Sequence, residues 1–244
     1  MKQGLFNTIV MIASIIVGIV VYTFLPKFIK DGGPLVVALI ALVFLVFTYI
    51  IERILVIRKA QGTGSLTLFL KNVQQEVSKG NIDGAIAVCD KQRGSCANVL
   101  RTGLDRYKVV TGSSEQYSER EIMEEVQHSI DEAMMLEVPL LEKNLVSLST
   151  IASISTMIGL LGTVVGMIRS FAAMAHAGAP DAIQLALGIS EALINTAGGL
   201  IGGITGIVAY NFFTTKVDNF TYMIEEASYS IIQTLTLRTR STKK

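Results

Sequence analysis

The chain has 244 residues, of which 50% are hydrophobic and only 17% are charged, and its formal net charge is +1. Soluble domains carry about 25% charged residues, so the composition favours a membrane protein, and the near-neutral charge argues against a nucleic-acid-binding chain. The two cysteines, Cys89 and Cys96, fit no common zinc or redox spacing, and we expect free thiols rather than metal ligands or a disulfide.

Two apolar windows open the chain. The first, residues 5–25, has a longer apolar core than a signal peptide, and no small-residue cleavage site follows it. The second, residues 34–51, is long enough to cross a bilayer as a helix. We therefore expect an N-terminal anchor or span with a short outer loop over residues 1–33, and a transmembrane helix over residues 34–57.

Residues 58–143 hold more than half of the charged side chains, which predicts a water-exposed helical region. Within this region, Asn81 and the capping-box pattern "SERE" at 118–121 are each expected to begin a helix, with a loop at 62–65. Pro139 is expected to kink the chain just before the third apolar window. One face of the helix that follows "SERE" is apolar at every fourth position: Ile122, Val126, Ile130 and Met134.

Two more apolar windows follow the charged region. The third, residues 144–168, has no charged side chain, and the fourth, residues 182–215, has only Glu191. These windows predict a transmembrane helix over 144–175, an outer turn over 176–183, a transmembrane helix over 184–215 and a cytoplasmic helical tail over 216–244.

Basic residues near the ends of the windows indicate the orientation, because cytoplasmic loops are enriched in Lys and Arg. They place both termini and residues 58–143 in the cytoplasm and predict four spans, with a three-span arrangement as the alternative if the first window lies on the outer surface. The expected fold is an all-α, polytopic helical membrane protein with long helices extending into the cytoplasm.

The third and fourth windows each carry a stripe of small and polar residues at helical spacing. One interpretation is close helix packing through the glycine pairs Gly162 with Gly166 and Gly198 with Gly202, with hydroxyls bonded to their own helix. The other is a polar pathway, whose candidate pore-lining residues are Ser153, Thr156, Asn195 and Thr205.

Glu191 favours the second interpretation. A charged side chain at the bilayer centre costs about 2.5–3.5 kcal/mol on insertion scales, so such a group usually faces the bundle interior or a water-filled cavity. Desolvation favours the neutral form of a carboxyl, which suits a group that gains and loses a proton. The alternative is a permanently protonated glutamate bonded to a neighbouring helix. Arg169 is expected to reach toward lipid head groups or to tune ion entry.

The stretches "GLLGTVVGMIRSF" (159–171), "GISEALINTAGGLIGG" (188–203) and "IIERILVIRK" (50–59) resemble the MotA/TolQ/ExbB proton-channel family, and ExbB most. The resemblance implies a homopentamer in the bacterial inner membrane whose pore encloses the single helices of two ExbD-like subunits. Proton flow through it would energise a TonB-like protein for outer-membrane transport. It also implies that Glu191, Thr163 and Thr196 form the proton pathway. Many relatives carry proline where this chain has Thr156 and Thr205, which makes a proline kink unexpected here.

The predicted function is therefore that of a proton-channel or motor subunit, not an enzyme. The sequence holds no phosphate-binding loop, nucleophile elbow or metal cluster, so we expect no cofactor and no metal, only transported H+. The alternatives are a TolQ-like envelope motor, a motility stator subunit, and a passive membrane scaffold.

Overall fold

The computed structural model describes the backbone of residues 2–113, 117–176 and 182–242, and all regular structure in these residues is α-helical. The all-α class predicted from the sequence is therefore confirmed. The predicted outer turn at 176–183 lies mostly outside the described residues. The helices are α1 Lys2–Phe24, α2 Lys27–Lys30, α3 Leu35–Gln61, α4 Leu66–Lys79, α5 Ile82–Gln92, α6 Ser95–Gly112, α7 Glu119–Glu142, α8 Leu145–His176 and α9 Ala182–Thr242.

Three helical stretches of the described chain are long and apolar enough to cross a membrane: Leu35–Lys79, Glu119–Ala175 and Ala182–Arg238. The polytopic membrane class predicted from the sequence is confirmed by these stretches. The first apolar window forms a shorter apolar helix, Thr8–Phe24. Whether this helix is a fourth span stays a prediction.

The described helices belong to two compact units, and the first comprises residues 1–52 and 144–213. In this unit α1 packs on α3 through a narrow face of small residues. Ser14 is fully buried, and a Cβ atom on Gly18 would lie 2.9 Å from the carbonyl oxygen of Val37. Most other apolar side chains of α1 are exposed, as suits a helix that faces lipid.

Helices α8 and α9 approach each other at backbone distance. A Cβ atom on Gly199 would lie 2.6 Å from the Cα atom of Gly159 and 2.8 Å from the carbonyl oxygen of Ser155. Nearer the turn between the helices, a Cβ atom on Gly166 would lie 2.6 Å from the carbonyl oxygen of Gly188. Only residues without a side chain permit such contact, which explains the glycines at these positions.

The second unit comprises residues 53–143 and 214–244. Helices α4 to α7 pack in chain order, each against the next, around an aliphatic core. The part of α9 in this unit buries one residue at every third or fourth position, the spacing of a coiled-coil seam. The buried residues of this stretch include Val217, Phe220, Ile224, Ala227, Ile231 and Leu235.

Helix α7 begins at the capping box that the sequence predicts. The Ser118 hydroxyl accepts a hydrogen bond from the Glu121 amide, and the Glu121 carboxylate accepts one from the Ser118 amide, which confirms the capping box. The helix then continues past Pro139 to Glu142. The chain leaves the helix at Lys143 and Asn144, where Asn144 has a φ of 64°. Asparagine tolerates this left-handed conformation better than most residues, which suits Asn144 to the position where the chain leaves α7.

We expect Ser118→Ala to lower the free energy of unfolding of the second unit by about 1 kcal/mol, because the amide of Glu121 loses its capping acceptor. Hydrogen exchange at the first turn of α7 measures this loss directly. Ser118→Thr is the matched control, since it keeps the hydroxyl. Equal exchange rates in Ser118→Ala and wild type would contradict the role of the cap.

Both cysteines are buried free thiols in the second unit. Burial is the main cause that raises the pKa of each thiol to about 12. Because the thiolate is the reactive form, and a raised pKa leaves the thiol neutral at pH 8, we expect Cys89 and Cys96 to resist alkylation in the folded protein. Mass spectrometry after iodoacetamide treatment, with and without denaturant, measures this. Rapid labelling without denaturant would contradict the prediction.

Candidate functional site

The membrane carboxyl predicted to be functional lies inside the first unit, between helices. The side chain of Glu191, on α9, is only 7% exposed, and it faces Arg169 on α8. Nη1 of Arg169 lies 2.5 Å from Oε1 and 2.7 Å from Oε2 of Glu191, so one nitrogen donates to both carboxylate oxygens. The only charged residue of the fourth window is therefore held in an ion pair across the hairpin, and it does not face lipid.

The segment between α2 and α3 closes over this ion pair. Gly33 has a φ of +73°, and a Cβ atom there would lie 2.7 Å from Oε1 of Glu191, so both the conformation and the space require glycine. Nδ2 of Asn195, one turn along α9, donates to the carbonyl oxygen of Gly32 at 2.8 Å and to that of Glu191 at 3.0 Å. These bonds connect α9 to the start of α3 beside the carboxylate.

The two threonines predicted to share the proton pathway bond to helix carbonyls. The Thr163 hydroxyl donates to the carbonyl oxygen of Leu160 at 2.5 Å. The Thr196 hydroxyl donates to the carbonyl oxygen of Ala192 at 3.1 Å and reaches that of Gly159 on α8 at 3.5 Å. Within the described residues neither hydroxyl bonds to Glu191. Their place in a proton pathway stays a prediction.

The four candidate pore-lining residues differ in burial, and their place in a pore stays a prediction. Asn195 is fully buried. Thr156 donates to the carbonyl oxygen of Ala152 at 3.3 Å, and its side chain lies against Gly203. Ser153 is exposed and donates to the carbonyl oxygen of Ser149 at 3.1 Å, while Thr205 is partly buried.

The four glycines assigned to helix packing all lie against other helices. Gly162 faces Asn195, and Gly166 faces Gly188 and Ala192. Gly198 faces Leu39 of α3, whereas Gly202 faces Ser155 of α8 and Val43 of α3. The glycines of α9 thus contact α8 and α3.

Arg169 is the residue whose role the sequence analysis missed. We expected its side chain to reach head groups or to tune ion entry, and it bonds to Glu191 while remaining 55% exposed. A signal was present in the sequence: in an antiparallel hairpin, residues at similar distances from the turn lie at similar depth. Arg169 lies seven residues before the end of α8 and Glu191 nine residues after the start of α9, so the two charges were positioned to pair.

The arrangement can bind and release a proton at a carboxylate enclosed by α8, α9 and the segment before α3. Across the described part of the chain, no group of three or more His, Cys, Asp or Glu side chains is placed to hold a metal ion. The site therefore consists of one ionisable acid, Glu191, and its cationic partner, Arg169, between two apolar helices.

The sequence containing this hairpin matches the MotA/TolQ/ExbB proton channel family over residues 91–226, which is more than half of the chain. The chain therefore belongs to the MotA/TolQ/ExbB proton channel family. The matched region includes Arg169, Glu191 and both threonines.

Curated relatives carry two different names. The chain is 42% identical over 86 residues to the Tol-Pal system protein TolQ of Haemophilus influenzae, covering 35% of this chain and 38% of that protein. It is 36% identical over 85 residues to the biopolymer transport protein ExbB of Salmonella typhimurium, covering 35% of each. It is also 35% identical over 85 residues to ExbB of Pseudomonas putida, covering 35% of this chain and 26% of that protein. The chain thus matches well under half the length of these relatives, and TolQ is as similar as ExbB.

Proposed function

We propose that this chain is the channel-forming subunit of a proton-driven motor in the bacterial inner membrane. In this proposal the chain assembles as a homopentamer around a pair of ExbD-like single-span subunits. Protons that cross the complex through Glu191 then drive a TonB-like protein that powers transport across the outer membrane. Each elementary charge that crosses 100 mV releases about 2.3 kcal/mol, enough to bias stepwise motion of the partner helices.

The observation that carries the proposal is the enclosed carboxylate of Glu191. An acid in a membrane helix is costly, and it is found where ions or protons pass. Glu191 is the only charged residue between Ala182 and Thr215, and it lies in the region that matches a proton channel family. The threonines Thr163 and Thr196 are proposed to line the same pathway.

Reconstitution in liposomes tests this function. The partner would be a single-span protein with an aspartate in its helix, encoded beside this chain. We expect an inward proton flux, reported by an internal pH dye under an imposed membrane potential, only when both proteins are present. An uncoupler added at the end shows that the gradient was intact. A complex that assembles but conducts no protons would support the passive scaffold instead.

A TolQ-like role is the second candidate, and the identity to TolQ of Haemophilus influenzae favours it. Deletion of the gene separates the two roles. Loss of energised uptake with normal cell constriction supports the ExbB-like function, whereas impaired constriction with normal uptake supports the TolQ-like one.

A further inference from the structure

The carboxylate of Glu191 faces a single cation among the described residues. Arg169 supplies it from α8, and the rest of α8 and the membrane part of α9 carry no other charged side chain. The segment before α3 presents backbone, at Gly32 and Gly33. Of the charged residues next to these glycines, Lys30 directs its ammonium to the carbonyl oxygen of Thr23 at 2.8 Å, and Asp31 carries the same sign of charge as Glu191.

The bond between the two side chains opposes protonation. A guanidinium stays charged at any physiological pH, and hydrogen bonds between two ionised groups are among the strongest in proteins. Both oxygens of Glu191 accept from Nη1 of Arg169. A proton that binds either oxygen removes the charge that attracts the guanidinium and therefore weakens both bonds.

We propose that Arg169 is a latch: it holds Glu191 charged and closed to protons until the guanidinium is drawn away. This inference rests on the proposed function, because it names the step that controls proton uptake at the same acid. Arg169 acts through Glu191 and is a positioning residue. The latch differs from a permanent structural ion pair in that its release accompanies each proton transferred.

The exposed side of Arg169 shows how the latch opens. Its side chain is 55% exposed, although Glu191 is enclosed. The bonds to Glu191 run through Nη1 alone, and among the described residues Nε and Nη2 have no hydrogen-bond acceptor. These donors are available to an anionic group on a neighbouring chain, such as a carboxylate. A carboxylate at this position competes with Glu191 for the guanidinium and frees Glu191 to take a proton.

The test is the protonation state of Glu191 in the full chain, in lipid nanodiscs without any partner protein. Infrared difference spectroscopy detects a protonated carboxyl directly, and Glu191→Gln identifies which signal belongs to this residue. We expect only a small protonated fraction of Glu191 at neutral pH in wild type. In Arg169→Gln the protonated fraction at neutral pH should rise about tenfold or more, because the charged donor is lost.

Two further variants keep the result interpretable. Arg169→Lys keeps the positive charge and should restore most of the wild-type signal. Lys30→Gln removes a cation that does not contact Glu191, and its spectrum should match wild type. A Glu191 that is mostly protonated in wild type would overturn the latch. Identical signals from wild type and Arg169→Gln would overturn it as well. If Arg169→Gln misfolds, wild type and Arg169→Lys still give a result. A mostly protonated Glu191 in wild type refutes the latch, whereas an ionised Glu191 in both proteins supports it.

Failure of the latch can be distinguished from failure of the proposed function. Proton flux through the assembled complex tests the channel, and the infrared signal of the isolated chain tests the latch. A complex that conducts protons while Arg169→Gln leaves Glu191 unchanged would refute the latch alone.

Discussion

Glu191→Gln is expected to lower the partner-dependent proton flux by about a hundredfold, to the level of liposomes without the partner. Proton transfer through a positioned side chain typically contributes at least this factor. Glutamine has nearly the same shape and keeps an oxygen that Arg169 can bond, but it cannot carry a proton. We therefore expect the variant complex to assemble normally, as size-exclusion chromatography would show, while the internal pH dye reports no flux.

Glu226→Gln is the matched control for this result. Glu226 is an exposed glutamate on the same helix, in the second unit, and the same change there should leave the flux unchanged. Flux that survives Glu191→Gln in an assembled complex would mean that protons bypass this acid or that the chain only organises its partner.

Gly199→Ala is expected to destabilise the α8–α9 hairpin by about 2–3 kcal/mol, near the upper end of the cost of overpacking. The added methyl group would lie 2.6 Å from the Cα atom of Gly159 and 2.8 Å from the carbonyl oxygen of Ser155. Backbone atoms cannot rotate away as a side chain can, so the two helices must separate. Thermal unfolding in detergent should show a clear decrease in Tm. Circular dichroism is the suitable method, because the chain has no tryptophan to report unfolding by fluorescence.

The neighbouring residue provides the control. A methyl group on Gly198 would meet only the side chain of Leu39, at 3.2 Å, and leucine can adjust. Alanine also has a higher helix propensity than glycine. Gly198→Ala is thus expected to be neutral or slightly stabilising. Equal stability of the two variants would show that the backbone contact of Gly199 is not required.

Much of the fold follows from local sequence patterns. Capping by Ser118 and Asn81, and the apolar face at Ile122, Val126 and Ile130, depend on residues near each other in the chain, and these predictions are confirmed. The kink expected at Pro139 stays a prediction, although α7 continues past this residue to Glu142 and the left-handed residue that follows the helix is Asn144.

The site was only partly predictable. The cost of a charge in an apolar helix identified Glu191 from the sequence, whereas Arg169 can be paired with it only once α8 and α9 are taken to be antiparallel neighbours. The role of Gly33 is even less accessible, since its φ and its closeness to Glu191 follow from packing of segments far apart in the chain. The pathway assigned to Thr163 and Thr196 depends on subunits beyond this chain, and it stays a prediction.

The glycine contacts between α8 and α9 bear on which parts can move during a working cycle. Where glycines bring the backbones of the two helices into contact, no long side chain lies between them, and close-packed protein interiors have low compressibility. In the proposed motor this hairpin would act as a rigid wall, so that motion driven by protons would be left to side chains such as Arg169 or to the proposed partner subunits.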